Sequence, residues 1–300
     1  MLVFALGIAA AVFLAIGFVL QQRAAADAPA DDMLSPRILL DLVCRPLWLA
    51  GIASMIVGQL LGAAALRFGD LTVVEPLLAA NVLFALPLAA SLRRQHLGVR
   101  EWVGALALAL GLGGFVYAAA PAGGSTLTLP WPNWAVSAGA IVAIAAGLVA
   151  VGKRLPFARE ATFLAAAAGC LYGLQDALTR KALNAHGITD ILTDWPPYLL
   201  LGVAVAGLTL AQSAFRAAPL AASLPAITIA EPLTGIAFGA GVYSESIRLS
   251  GWPLLGEAAA LVLMVVGVWL VASSPLVTGG PRPPTYDEQE PAEERVAEHA

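Results

Sequence analysis

The residue best placed to do chemistry is Glu231, an acid near the middle of a long apolar segment. A charged side chain at the centre of a bilayer costs about 2.5 to 3.5 kcal/mol even on a lenient scale, so such residues usually have a function. Thr228 and Thr234 lie three residues to either side and share its helix face, and Pro225 and Pro232 free backbone carbonyls in the same helix. The pattern predicts a site for a substrate, a cation or a proton at Glu231. The alternative is a polar contact between helices.

Further polar residues lie within apolar segments: Gln59, Glu75, Asn81 and Gln212. Glu75 stands about one turn inside its segment, where it would serve a polar vestibule or simply extend to the interface. The three amides are uncharged and deep enough either to line a path or to hydrogen-bond between helices. Together with Glu231 and its two threonines, these residues make up the predicted binding site for a substrate or a coupling ion.

The motifs of several enzyme classes are absent from the sequence. There is no HExxH, CxxC, P-loop or GxSxG, and His96, His186 and His299 lack metal-ligand spacing. Lys and Arg are confined to short turns, which argues against nucleic-acid binding. We therefore expect no catalytic residues, no cofactor and no nucleic-acid partner.

The composition explains why the polar residues stand out. Of the 300 residues 59% are hydrophobic and 12% are charged, and the mean hydropathy is +0.82, whereas about a quarter of the residues of a soluble domain are charged. A soluble domain of this length would need far more polar surface. The composition therefore predicts an integral membrane protein whose principal partner is lipid.

The sequence contains nine segments of the roughly 20 apolar residues that cross a bilayer. They lie at about 2–21, 46–66, 71–92, 101–120, 133–152, 161–179, 196–215, 217–240 and 252–273. Each must be a helix, because hydrocarbon offers the backbone no partner and the alternation of a barrel strand is missing. The expected fold class is all-α, a polytopic transmembrane bundle. Residues 34–45 are amphipathic and are expected to form a helix at the interface.

The distribution of basic residues predicts the orientation. With the N-terminus outside, 12 of the 16 Lys and Arg residues fall in cytoplasmic connections and 4 fall outside. The bias predicts a multi-pass plasma-membrane protein with its N-terminus outside and its C-terminus in the cytoplasm. The acidic, Pro-rich tail at 274–300 then lies in the cytoplasm, and it has too few apolar residues to fold.

The two halves of the chain resemble each other weakly. RFGDLTVVEP at 67–76 and RAAPLAASLP at 216–225, which lies 149 residues later, share Arg, Leu and Pro. LQQRA at 20–24 similarly resembles LTRKA at 178–182. The alternative is that helices rich in Ala and Leu resemble each other by composition alone.

The duplication defines the expected organisation of the chain. Segments one to four, within residues 1–120, correspond to segments six to nine, within 161–273, and the fifth segment at 133–152 connects them. Because five spans separate equivalent helices, the two repeats must cross the membrane in opposite directions. Inverted repeats of this kind characterise secondary transporters, whose binding sites lie near the midplane between the repeats.

The repeats also resemble a known family. Residues 57–117 contain an Ala-Leu-x-x-Gly hairpin, a proline-bearing helix, a basic turn and a glycine-rich helix, and residues 213–272 have a similar order. This unit resembles the EamA-type repeat of the drug/metabolite transporter superfamily. Ser244-Glu245-Ser246 stands where that family commonly has Gly-Glu-Arg, and His96 occupies the corresponding place in the first copy.

The resemblance covers about residues 2–275 and implies transport as the activity. Nine segments, with LQQRA after the first, are closer to the NIPA branch, whose members are described as magnesium transporters. Metabolite export and divalent-cation transport are thus the two activities that the resemblance implies. A largely hydrated Mg²⁺ needs only one or two carboxylates.

Small residues and tryptophans give expectations about packing. Three pairs have the GxxxG spacing that permits close helix approach: Gly58 and Gly62, Gly169 and Gly173, and Gly235 and Gly239. They are expected to pack helices within one chain or between two, which allows a homodimer. Tryptophans near segment ends are expected to anchor at the lipid interface: Trp131, Trp134, Trp195 and Trp252.

These expectations combine into one functional hypothesis. The chain is a secondary transporter that moves a small solute or ion along a polar path between two inverted repeats, without ATP. The alternatives are a NIPA-type transporter of magnesium or other divalent cations and a membrane scaffold that transports nothing.

Overall fold

A computed structural model describes residues 2–27, 34–66, 68, 74, 77–78, 80–119, 131–183, 194–242 and 252–273 of the chain. In this part of the chain the structure is all-helical and contains no strand, which confirms the predicted fold class at that level. Glu75 and the tail at 274–300 lie outside the described residues.

The described residues form ten helices: α1 (Leu2–Ala26), α2 (Arg37–Val43), α3 (Pro46–Leu66), α4 (Asn81–Leu92), α5 (Val99–Ala119), α6 (Trp131–Gly152), α7 (Phe157–Leu183), α8 (Pro196–Ala217), α9 (Leu220–Val242) and α10 (Trp252–Ala272). Each of the nine apolar segments overlaps one of these helices, and α2 lies within the amphipathic stretch at 34–45. Five of them, α1, α3, α6, α8 and α10, are long and apolar enough to cross a membrane. The helices therefore support a membrane location.

Several helices expose large apolar side chains, as expected of surfaces that contact lipid. On α10, Val262, Val265 and Trp269 are 64%, 64% and 62% exposed, and on α6 Val136 and Ile144 are 72% and 56% exposed. In water, such surface would be unfavourable by about 25 cal/mol per Å² of apolar area. Lipid removes that cost, so these faces suit a bilayer.

Helices pack most closely where glycine faces a neighbouring backbone. A Cβ atom built on Gly267 of α10 would lie 2.7 Å from the Gly104 carbonyl oxygen of α5, and one built on Gly104 would lie 3.0 Å from the Gly267 oxygen. Gly17 of α1 and Gly51 of α3 face each other in the same way, with corresponding distances of 2.9 Å and 3.1 Å. A larger residue at these positions would force the two backbones apart.

The GxxxG pairs behave differently from one another. A Cβ on Gly58 would lie 2.9 Å from Leu14 Cγ, and one on Gly169 would lie 2.9 Å from the Ile227 carbonyl oxygen, so both glycines pack against a neighbouring helix as predicted. Gly235 contacts α7 through its backbone, since a Cβ on Gly173 would lie 2.9 Å from the Gly235 nitrogen, whereas a Cβ on Gly235 itself would meet no described atom within 4 Å.

The mutual glycine contact of α5 and α10 predicts the effect of Gly267→Leu. We expect this variant to lower the free energy of unfolding by about 1 to 3 kcal/mol, because the larger side chain forces one of the two backbones to move. Thermal unfolding of the purified protein in detergent would measure the change. Gly147→Leu on α6 is the matched control, since a Cβ there meets nothing within 4 Å. Equal melting temperatures for the two variants would contradict the packing described above.

Candidate functional site

Glu231 lies where α9 crosses α7, and glycines make that crossing possible. A Cβ on Gly169 of α7 would lie 3.2 Å from the Glu231 backbone nitrogen, and one on Gly173 would lie 2.9 Å from the Gly235 nitrogen. Because the two backbones are in contact, the half-buried Glu231 is held against the face of α7. The acid is thus positioned by the closest contact between these two helices.

Two threonines flank Glu231 in the buried part of this crossing. Thr228 is 9% exposed, and its hydroxyl donates to the Leu224 carbonyl oxygen at 2.9 Å. Thr234 is 7% exposed, and its hydroxyl is a hydrogen-bond partner of the Cys170 thiol on α7. The structure therefore places both threonines beside Glu231, as predicted, and their hydroxyls bond to neighbouring protein atoms.

Proline adds a further acceptor to this region. Pro232 has no N–H group, so the Thr228 carbonyl lacks the donor that it would have in an uninterrupted helix. That carbonyl belongs to the same turn as the Glu231 side chain. A carboxylate beside a carbonyl without its helical donor is an arrangement that attracts a cation or a proton.

A second polar group joins the C-terminal ends of α1 and α8. Gln212 Nε2 donates to Gln21 Oε1 at 2.7 Å, and Gln22 Nε2 donates to the Phe215 carbonyl oxygen at 3.4 Å. Gln21 Nε2 also donates to the Met55 sulfur of α3. The three glutamines are 0 to 4% exposed, so this is a buried amide contact between helices.

Ser213 extends the amide contact to the chain that precedes α2. Its hydroxyl accepts from the Leu34 backbone N–H at 3.0 Å and donates to the Thr209 carbonyl oxygen at 2.7 Å. Within the described residues, Gln212 Oε1 is buried without a hydrogen-bond partner. Polar bonds thus tie the C-terminal ends of α1 and α8 to the middle of α3 and to the residues before α2, with one acceptor left over.

The predicted site residues do not all come together. Gln212 belongs to the amide contact with Gln21, at the C-terminal ends of α1 and α8, whereas Glu231 lies at the crossing of α9 and α7. Asn81 begins α4 and is 8% exposed, and its Oδ1 is buried without a partner among the described residues. Gln59 lies on an exposed face of α3. Glu75 lies outside the described residues.

Sequence reasoning missed some buried polar residues. Gln21 and Gln22 served only to align the two halves, although two consecutive amides near the end of an apolar helix are themselves unusual. Glu257 on α10, by contrast, stands out in the sequence as an acid within an apolar segment; it is 7% exposed, with its Oε1 unpartnered in the described structure. Trp134 is 2% exposed, so its predicted role as an interface anchor is wrong. Its ring packs among other aromatic rings of the protein.

A repeated motif around Glu231 also escaped the comparison of the two halves. The pattern T-x-x-E-P-L occurs at 72–77 and again at 228–233, which lies 156 residues later. The comparison used an offset of 149, and the second copy has seven more residues between its arginine and this motif. Glu75 is therefore the counterpart of Glu231 in sequence.

Metal chemistry has limited support in the described part of the chain. These residues contain no group of three or more His, Cys, Asp or Glu side chains that could hold an ion. Any cation at Glu231 would therefore keep much of its own hydration or use backbone oxygens. The site fits a proton or a weakly coordinated solute at least as well as a tightly bound metal.

Comparison with known proteins gives a relative along nearly the whole chain. An uncharacterized protein of Corynebacterium glutamicum is 29% identical over 276 residues, which covers 91% of this chain and 95% of the relative. No family model matches the chain, and no solved structure matches it. The chain is thus similar to a protein of nearly the same length.

Proposed function

We propose that the protein is a secondary transporter of the drug/metabolite transporter type, built from two inverted four-helix repeats. It moves a small solute or ion across the plasma membrane through a path between the repeats. In this proposal α1, α3, α4 and α5 form the first repeat, α7, α8, α9 and α10 form the second, and α6 connects them.

The observation that carries the proposal is a pair of equivalent helix contacts. In the first half, Gly58 of α3 packs against Leu14 of α1, and in the second half Gly207 of α8 packs against Tyr172 of α7. A Cβ on Gly58 would lie 2.9 Å from Leu14 Cγ, and one on Gly207 would lie 3.0 Å from Tyr172 Cε1. The two glycines are 149 residues apart, which is the offset that the arginine repeat gave. The two partners are 158 apart, which is the offset between LQQRA and LTRKA.

The contact between α5 and α10 supports the same relation. A Cβ on Gly104 would lie 3.0 Å from Leu270 Cβ, and one on Gly256 would lie 3.2 Å from Ala118 Cβ. Gly256 follows Gly104 by 152 residues, and Leu270 follows Ala118 by the same number. Each contact thus becomes the other when the two helices are exchanged. An antiparallel pair that is unchanged by exchange is what a two-fold axis between inverted repeats produces.

Helix lengths support nine spans. Besides the five helices that satisfy length and composition, α5, α7 and α9 have 21, 27 and 23 residues. At 1.5 Å per residue each is about 30 Å long or longer, the thickness of the hydrocarbon core. α4 has 12 residues and follows apolar residues that lie outside the described structure. In this proposal an odd number of spans puts the termini on opposite sides of the membrane, and the distribution of basic residues favours the N-terminus outside and the C-terminus in the cytoplasm.

Glu231 is the proposed binding group for the substrate or a coupling proton. A carboxylate at a helix crossing, one turn from a carbonyl without its helical donor, attracts positive charge strongly because little water screens it. Its counterpart Glu75 would supply a second carboxylate from the other repeat. The amide contact of Gln21 and Gln212 joins α1 to α8, and thus one proposed repeat to the other, at their cytoplasmic ends.

The transport assay tests this function directly. Full-length protein in proteoliposomes is offered labelled amino acids and nucleosides, and Mg²⁺ with a trapped indicator. We expect uptake of at least one of these, reduced at least about tenfold in Glu231→Gln. Losing a charge-assisted contact costs about 1.5 to 3 kcal/mol, and 1.4 kcal/mol is tenfold. Asp41→Asn, which changes an exposed acid on α2, should transport like the wild type.

The outcomes of this assay separate the candidate functions. Uptake of Mg²⁺ alone would replace the metabolite by a divalent cation as the substrate class. Normal uptake by Glu231→Gln, with unchanged pH dependence, would contradict the assignment of the site. A folded protein that moves none of the probes would favour a membrane scaffold.

Cross-linking tests alternating access without knowledge of the substrate. The offset of 158 residues between α1 and α7 makes Thr179 the equivalent of Gln21, and the offset of 149 residues between α3 and α8 makes Ala63 the equivalent of Gln212. In this structure the Thr179 hydroxyl donates to Gln175 of its own helix at 2.8 Å, and Ala63 is exposed. We expect a bifunctional thiol reagent to join cysteines at 63 and 179 only in molecules whose 21 and 212 cysteines are not joined. The variants are made in a chain that lacks Cys44 and Cys170. Formation of both links in the same molecule would contradict alternating access.

A further inference from the structure

Aromatic side chains from three parts of the chain cluster at one end of the helices. Trp131 and Trp134 begin α6, Trp195 immediately precedes α8, and Phe238 belongs to the last turns of α9. The Trp131 and Trp195 rings are 4.6 Å apart at 74°, and the Trp134 and Trp195 rings are 5.5 Å apart at 70°. The Phe238 ring lies 5.4 Å from that of Trp134. These four rings, termed the aromatic cage, are held in mutual edge-to-face or tilted contact.

A cation from the protein itself lies against two walls of the cage. The Lys181 ammonium nitrogen, near the end of α7, is 5.8 Å from the Trp134 ring centroid and 5.9 Å from that of Trp195. Because these two rings are steeply inclined to each other, the ammonium occupies the corner between them. Both distances are within the range of about 6 Å over which a tryptophan face attracts a cation.

The cage differs from a belt of interfacial tryptophans. Its inner wall, Trp134, is 2% exposed, Trp195 is half-buried, and Trp131 is 56% exposed. The Trp134 wall of the cage is therefore buried, and the Trp131 wall faces the surface. Asp194 adds a carboxylate next to Trp195, where its Oδ1 accepts the Trp195 backbone N–H at 2.9 Å. An exposed anion beside a cluster of aromatic rings favours cations.

We propose that the aromatic cage is a binding site for an organic ammonium cation, and that Lys181 occupies it as a tethered substitute when no ligand is bound. Recognition of alkylated ammonium groups by aromatic rings is a known use of the cation–π interaction. The lysine ammonium is strongly hydrated and sits on a flexible stem. An alkylated ammonium is less strongly hydrated, so it loses less hydration free energy on entering the cage. It therefore displaces Lys181.

The tether sets the expected affinity. A side chain fixed next to its site acts at an effective concentration on the order of millimolar. A free cation must compete with it, so the apparent dissociation constant rises as the inverse of the fraction of cages that Lys181 leaves empty. Removing the lysine charge while keeping an apolar stem, as in Lys181→Met, is expected to tighten binding at least about tenfold. This effect does not depend on transport, so a failed transport assay leaves it testable.

Choline and its uncharged isostere 3,3-dimethylbutan-1-ol are the probes. Tryptophan fluorescence of the purified full-length protein is titrated with each. We expect choline to quench Lys181→Met at concentrations at least tenfold lower than the wild type, and the neutral isostere to leave both unchanged. Lys153→Met is the matched control, because Lys153 is exposed and follows the opposite end of α6. It should bind choline like the wild type.

Further variants keep the test decisive. Should Lys181→Met fold poorly, Lys181→Gln removes the same charge and is expected to give the same tightening. Adding Trp195→Leu to either variant should abolish the response, because one wall of the corner is lost. Equal choline titrations for the wild type and both lysine variants, or equal quenching by the neutral isostere, would overturn the proposal. Lys181 would then act only as a structural partner of the tryptophans.

Discussion

Contact between helix backbones at glycine is the interaction on which the rest of this structure depends. Inside a bilayer, lipid is as apolar as the helices, so burial of apolar surface contributes little to their association. Close packing and backbone approach must supply it instead. Gly104 with Gly267, and Gly17 with Gly51, place neighbouring backbones nearer than any Cβ would allow. These contacts fix the pairing of α5 with α10 and of α1 with α3.

The polar groups follow from that constraint. Gly169 and Gly173 bring α7 against the backbone of Glu231, and the close pairing of α1 with α3 leaves Gln21 within reach of Met55 and Gln212. A buried polar group without a partner is costly in such an environment. In the described part of the chain, the unpartnered oxygens of Asn81, Gln212 and Glu257 are therefore positions where a bound solute, proton or water would gain a hydrogen bond.

The sequence predicts the helices well and their faces poorly. Apolar length located each of the nine segments, and amphipathic character located α2, because both depend on local composition. The burial of Trp134 was not predicted, because a helix that is apolar all round has no periodicity to show which face is buried. The pairing of Gln21 with Gln212 joins residues 191 positions apart, so only the packing of α1 against α8 reveals it. The T-x-x-E-P-L repeat is visible in the sequence, but its copies are 156 residues apart, so a comparison at an offset of 149 residues does not align them.

The central claim is that equivalent helices of the two halves cross the membrane in opposite directions. Cysteine labelling at equivalent positions tests it most directly, with His96 before α5 and Glu245 before α10 replaced singly in a chain free of other cysteines. An impermeant thiol reagent applied to intact cells should label the cysteine at 245 and not the one at 96. Labelling of both positions, or of neither until the cells are opened, would place the two helices in the same direction and contradict the inverted repeat.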